Sequence, residues 1–479
     1  MNKNTKIALG TIAAVIIVGG GTYFYVCSRI DNVEKIINES LAKIQPELPK
    51  GAVQQNVLHK GFLSSDGIYT LDMNDKNEKS KVIVKYQIDH GIGSWFTNRY
   101  NVTAQTNIEG AIKTDLAYTG NFVNSEGVIN GNGDTDLTSH YPQMTLTDNE
   151  DGEVLKAVIA PALQTVKYNH TSGDVKTHTE IPTMSISSNS QERSMASLNF
   201  SGIKYDYDFN KINPLVAKMM MDVQTVKTKM VEIDGFLLNG SSELNMDKYN
   251  FHIGMKADKV IIPLLKEKDG SFDFAFSIKN VDKAAVEYYQ SLYDKSNDSD
   301  SFSKEEEQKA KENMKSLLRK GINMGLDKFI AKGSFGVLNV SGALNIKPDD
   351  AKTFSVSKNA ELALNVKGEG YIAPMLNMYL ANSEFKDVQV DKDKFNIVAK
   401  YTDNKLTVND KDYSKTMMAN NLQAILLEED VSLGFMSTDD AIKQYQQNGG
   451  LPDTTDTEKL PSSAPGNIHL LPADSETKI

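Results

Sequence analysis

The densest set of oxygen ligands in the sequence lies between Asp294 and Glu305. Asp294, Ser296, Asp298, Asp300 and Glu305 fall at EF-hand positions 1, 3, 5, 7 and 12, a spacing that wraps oxygens around Ca2+. Position 6 is Ser299, where the tight turn calls for glycine, and the third position offers a hydroxyl in place of a carboxylate. The simpler reading is a polar loop between two helices. Calcium held by Asp294, Asp298, Asp300 and Glu305 is the metal-site candidate, and no cofactor is expected.

The other chemistry-bearing residues are dispersed. The histidines stand singly at 59, 90, 140, 170, 178, 252 and 469, without the close spacing that sets two ligands on one metal. His170 and His178 are the nearest pair. Asp134 with Asp136, and Asp206 with Asp208, would each share one face of a strand, as paired acids in acid/base chemistry do. Asp206 and Asp208 alternate with Tyr205, Tyr207 and Phe209, which fits the wet face of an antiparallel sheet. There is no H-E-x-x-H, G-x-S-x-G or P-loop, and one cysteine removes Cys-based metal sites and internal disulfides. No catalytic residue is assigned, and an enzyme is not expected.

The elements carrying these residues follow from hydropathy patterning. Val82, Val84, Tyr86 and Ile88 alternate with polar neighbours, and so do Tyr100, Val102, Ala104, Thr106 and Ile108. The pattern returns at Phe251–Met255, Phe272–Ile278, Leu338–Ile346, Leu362–Val366 and Phe395–Tyr401. Each run predicts a strand with one apolar face. Leu215, Met219, Val223, Val226 and Met230 fall on a helical stripe, predicting a helix within 211–232. A second helical insertion is predicted over 281–332. There a short helix from Val281 to Tyr293 precedes one that starts at a Ser303/Glu306 capping box and runs through Phe329.

The chain has 479 residues, 40% hydrophobic and 24% charged, and a net charge of −11 from 52 basic and 63 acidic residues. That balance argues against nucleic acid as a partner. Residues 7–26 hold no charge, and as a helix they would span about 30 Å, the thickness of a bilayer hydrocarbon core. Lys3 and Lys6 precede them, which keeps residues 1–6 in the cytoplasm and exports the remainder. A cleaved signal peptide is the rival reading. Apolar sequence continues past Gly19–Gly21 and no A-x-A triplet appears, which favours an uncleaved anchor. Val33, Ile36, Ile37, Leu41 and Ile44 predict a juxtamembrane helix within 27–50, and the proline-containing stretch 449–479 reads as a disordered tail.

Four features together carry a family resemblance. They are the basic-then-apolar N-terminus, Gly61-Phe62-Leu63-Ser64-Ser65, the Ile88-Asp89-His90-Gly91 step, and Lys405-Leu406-Thr407-Val408-Asn409. With them the chain resembles the YdgA-type family of bacterial envelope proteins, departing from it at Ile92, where members commonly have proline. The resemblance implies a Gram-negative inner-membrane anchor, a large periplasmic domain and no established catalytic residues. It is also distantly similar to AsmA-type proteins, whose elongated sheets form grooves associated with lipid.

The fold class expected is therefore α+β and mainly β. One extended, curved antiparallel sheet system with packed helices occupies 51–448 behind a transmembrane helix. The function expected is envelope maintenance through a lipid or other apolar ligand held in a sheet groove. The alternative is a scaffold for envelope proteins whose sheet faces are sealed by its own helices, with an envelope hydrolase as a third class. Partners expected are the inner membrane, a lipid and envelope proteins.

Overall fold

The computed structural model describes residues 53–447 apart from 62–63, 76–77, 90, 92–93, 95–96, 111–115, 151–152, 189–196, 266, 297–302 and 352. The expected anchor at 7–26, the helix within 27–50 and the tail at 449–479 lie outside the described residues. Among the described residues no helix is long and apolar enough to cross a membrane.

The protein is mainly β, an extensive antiparallel sheet architecture with a few helices. It divides into two compact units, Met1–Glu243 with Ile253–Asp273, and Leu244–His252 with Phe274–Ile479.

In the first unit β1 (Val53–Lys60), β2 (Ser64–Asp75), β3 (Glu78–Asp89) and β4 (Arg99–Gly110) form an antiparallel meander. Next come β5 (Leu116–Tyr118), β6 (Val123–Asn130), β7 (Thr135–Tyr141), β8 (Met144–Glu150), β9 (Glu153–Ile159) and β10 (Ala162–Tyr168). The sheet continues β4–β6–β7–β10 and then takes on β11 (Asp174–Ser188), β12 (Ser197–Asn210), β13 (Ala217–Lys227) and β14 (Glu232–Asn245). A side branch runs β5–β8–β9 and joins the far half of β11.

The predicted alternation places Val82, Val84, Tyr86, Ile88, Val102, Ala104 and Ile108 on one buried face, where Tyr69 and Leu71 of β2 join them. Leu116 of β5 and Met144 of β8 belong to the same core cluster, so the side branch folds over that face and seals it. Two hydrogen bonds join polar residues on the buried face. Ser125 Oγ lies 2.8 Å from Ser139 Oγ, and Tyr141 donates its hydroxyl to Gln164 Oε1 at 2.9 Å.

The stretch 211–232 is not a helix. Its centre is strand β13, whose Met219, Met221 and Val223 alternate with Lys218, Met220 and Asp222.

β15 (Lys248–Ile262) and β16 (Glu267–Asp282) each contribute residues to both units. The second unit opens with α1 (Lys283–Ser296) and α2 (Lys304–Arg319), joined by Tyr288 and Tyr289 hydroxyls donating to the carbonyls of Glu306 (3.2 Å) and Ala310 (2.9 Å). The capping box is present: Ser303 Oγ accepts from the Glu306 amide and the Glu306 carboxylate accepts from the Ser303 amide. The α2 helix nevertheless stops at Arg319. Gly321, at φ +80°, turns the chain, and the expected continuation through Phe329 instead belongs to β17 (Ile322–Gly333).

A meander follows through β18 (Gly336–Ile346), β19 (Ala360–Glu369), β20 (Lys394–Thr402), β21 (Lys405–Val408) and β22 (Lys411–Asp412). Four further helices were not anticipated: α3 (Val356–Asn359), α4 (Ile372–Ala381), α5 (Met417–Leu433) and α6 (Thr438–Gln447). The second unit's core gathers Leu380, Tyr401, Leu406, Val408, Tyr413 and Ala419, with a smaller cluster of Ala424, Leu427, Ala441 and Tyr445.

Candidate functional site

The feature that sets the first unit apart is a crease across its sheet. Prolines lack the N–H that a ladder needs, and they sit where the ladders break. Pro142 separates β7 from β8, Pro161 separates β9 from β10, and Pro182 has no register partner on β12. Opposite Pro182 is Gly202, at φ +60°, then Gln224 of β13, then Gly235 of β14, at φ +64°. A Cβ at Gly202 would stand 2.8 Å from Cβ of Gln224, so both its dihedral and its surroundings demand glycine.

Each of these strands spends one unpaired residue at the crease. A regular strand returns to the same face every two residues, whereas these return after three: Ile181 to Met184, Phe200 to Ile203, Val223 to Val226, Ile233 to Phe236. The register aligns Ile181, Ile203, Val223 and Phe236 as one cross-strand row and Met184, Phe200, Val226 and Ile233 as another. Met144 and Ile159 continue the second row across β8 and β9 and pack into the sealed core, so this row looks inward. The unpaired residue on each strand shifts the alternation by one, so the apolar rows on both sides of the crease share a face.

Beyond the sealed core this inner face is incompletely covered. Tyr205, Tyr207 and Phe209 stack along β12, with centroids 6.4 Å and 5.3 Å apart, and Phe209 packs against the core edge. Met221, Met219 and Leu238 lie beside this ladder in register. All six are half-buried. Burial holds the Tyr205 phenol above its ordinary pKa, so it stays protonated at neutral pH. The face therefore offers aromatic and thioether surface with no charge on it.

The outer face is the opposite. His178 Nδ1 is 2.6 Å from Asp206 and its Nε2 is 3.2 Å from Glu180, and these carboxylates, Asp206 first, raise the imidazole pKa. Lys218 pairs with Glu243 at 3.0 Å. Asp208 stands in register between Lys176 and Lys218. Asp206 and Asp208 share the charged outer face, and Asp206 is engaged by His178.

The other sequence candidates do not converge. The His170 amide donates to Asp134 at 2.9 Å and its ring packs edge-on to Tyr168, apart from the ion pairs of His178. Asp136 faces Lys167 at 3.9 Å. Asp294 is in the last turn of α1 and Glu305 is exposed in the first turn of α2, while Asp298 and Asp300 lie outside the described residues. Among the described residues no group of three His, Cys, Asp or Glu side chains is placed to hold a metal ion.

Residues 1–373 match the model of a bacterial protein family of unknown function, DUF945. The chain belongs to that family. The whole crease of this DUF945 chain lies inside the matched residues, and so does the start of α4. No curated protein and no solved structure matches it.

No chemical motif in the sequence marks the crease as a site. The signal lay in the three-residue apolar steps around Pro182, Gly202 and Gly235, a pattern that looks helical when read without the register.

Proposed function

We propose that this protein is a non-catalytic envelope protein that holds the apolar chain of a lipid against the inner face of the crease. One observation carries the reading: a row of large aromatic, thioether and aliphatic side chains, continuous with a sealed core, is left half-buried on an uncharged face. Soluble proteins cover such surface or use it. An acyl chain laid along it gains about 0.8 kcal/mol for each methylene removed from water, and needs no polar partner to do so. The uncharged span at 7–26 with Lys3 and Lys6 before it, and the YdgA-like pattern it belongs to, support an inner-membrane anchor with the body in the periplasm.

The test is to purify the full chain under native conditions, extract it with organic solvent and identify bound lipid by mass spectrometry. Near-stoichiometric lipid is expected from the wild type. It should be lost from Met219→Glu, which places a charge on the inner face, in protein that keeps the wild-type circular dichroism spectrum. A folded wild-type sample that yields no lipid overturns the reading and favours the scaffold.

A further inference from the structure

The second unit carries an apolar feature that the crease does not involve. From Gly370 to Ser383 the sequence has no acidic, basic or histidine residue, and α4 occupies its centre. One side of α4 is accounted for: Ala373 and Leu380 are buried, and Leu376 packs on the cluster around Tyr401 and Leu406. The other side is not. Tyr371, Met375, Met378 and Tyr379, spaced as a helical stripe, are 75%, 64%, 71% and 73% exposed. Met417 and Met418 open α5 and are also exposed. The Met417 amide donates to Glu384 at 2.9 Å, only three residues past the end of α4. A surface helix ordinarily turns charged residues outward, and this one has none to turn.

We propose that the outer stripe of α4 rests on the surface of the bilayer that holds residues 7–26. Three considerations select lipid over a second copy of the chain. The helix is ten residues long, about 15 Å. Its stripe therefore presents roughly a few hundred Å2, short of the about 800 Å2 per partner that a stable protein interface needs. A contact that small suffices when the chain is already tethered, because a tether raises the effective concentration of the surface. Tyrosine rings bracketing a thioether-rich centre match the water–hydrocarbon boundary, where an amphipathic ring has both its phases. The stripe offers no cation to lipid phosphate, so the contact is with uncharged interface and is insensitive to salt. The inference shares the anchor with the proposed function and is independent of the crease.

The experiment uses the full chain in phosphatidylcholine nanodiscs. In a Cys27→Ser background, an environment-sensitive fluorophore is attached at Met378→Cys, and in a parallel sample at Glu312→Cys on α2. With spin-labelled phosphatidylcholine in the disc, the fluorophore at 378 is expected to lose most of its emission at low and at high salt, while that at 312 keeps its own. Adding Met375→Glu should restore the emission at 378. Equal quenching at both positions, or none at 378, overturns the inference. Protection at 378 that appears only when each disc carries two copies assigns the stripe to a second copy and overturns it too. A chain that fails to enter the discs has no tether, which removes the inference on separate grounds from any failure to recover bound lipid.

Discussion

Asp430 shows how much one side chain can organise. It is fully buried in α5, yet its carboxylate accepts from the Ser355 hydroxyl at 2.7 Å and from the backbone amides of Val356 and Ser357 at 2.5 Å and 3.0 Å. Those amides are the unsatisfied first donors of α3, so a residue more than seventy positions away caps that helix. Removing the acceptor leaves buried donors without partners. Asp430→Ala is expected to destabilise the protein by about 3 kcal/mol in urea denaturation, and Asp430→Asn, which keeps one acceptor oxygen, by less. Nothing in the local sequence announces this role, because the partners are brought together by the fold. The capping box at Ser303 and Glu306 is the contrasting case, legible because both members lie within one turn.

At the scale of elements, the strands β3, β4, β15, β16, β18, β19 and β20 were readable because a one-sided strand repeats every two residues. β13 was misread for a physical reason. Its unpaired Gln224 stands where a two-residue step becomes the three between Val223 and Val226, and with the four between Met219 and Val223 this imitates a helical stripe. β17 was absorbed into α2 because its Ile322 and Phe329 extend that helix's apolar spacing beyond Gly321. α5 escaped notice because its buried side includes Gln423 and Asp430 as well as Ala419, Ala424 and Leu427, so its apolar stripe is broken. The crease yields a prediction at this scale. Gly202→Ala must hold an L-residue at φ +60° against Gln224, which should cost about 1–3 kcal/mol of stability. Gly91→Ala, where a Cβ meets nothing within 4 Å, should leave the denaturation midpoint unchanged. Equal midpoints for the two variants would mean that the crease does not depend on glycine.

At the scale of the molecule, the mainly β character was legible. Continuous alternation from the first strand onward gives no mark where one compact unit yields to another, since β15 and β16 each contribute to both. The proposed topology rests on the first residues, where two lysines precede an uncharged span. Alkaline phosphatase fused after Ile479 should be active, because it requires export to fold, and a fluorescent protein that matures only in the cytoplasm should be dark at the same position. A bright cytoplasmic fusion would reverse the orientation. The acidic surplus of the chain does not oppose this arrangement, because α4 offers lipid no charge of either sign.

The crease also bears on how the sheet avoids mispairing. A strand shifted by one residue against its neighbour would normally keep most of its hydrogen bonds while turning its apolar face outward. In the first unit Pro182, Gly202, Gln224 and Gly235 are unpaired residues that must fall side by side. Any slip would press a proline or a left-handed glycine into a regular ladder position and place an ordinary residue on the line of interruptions. The line of interruptions therefore acts as an alignment mark, restricting four long strands to a single pairing while they assemble.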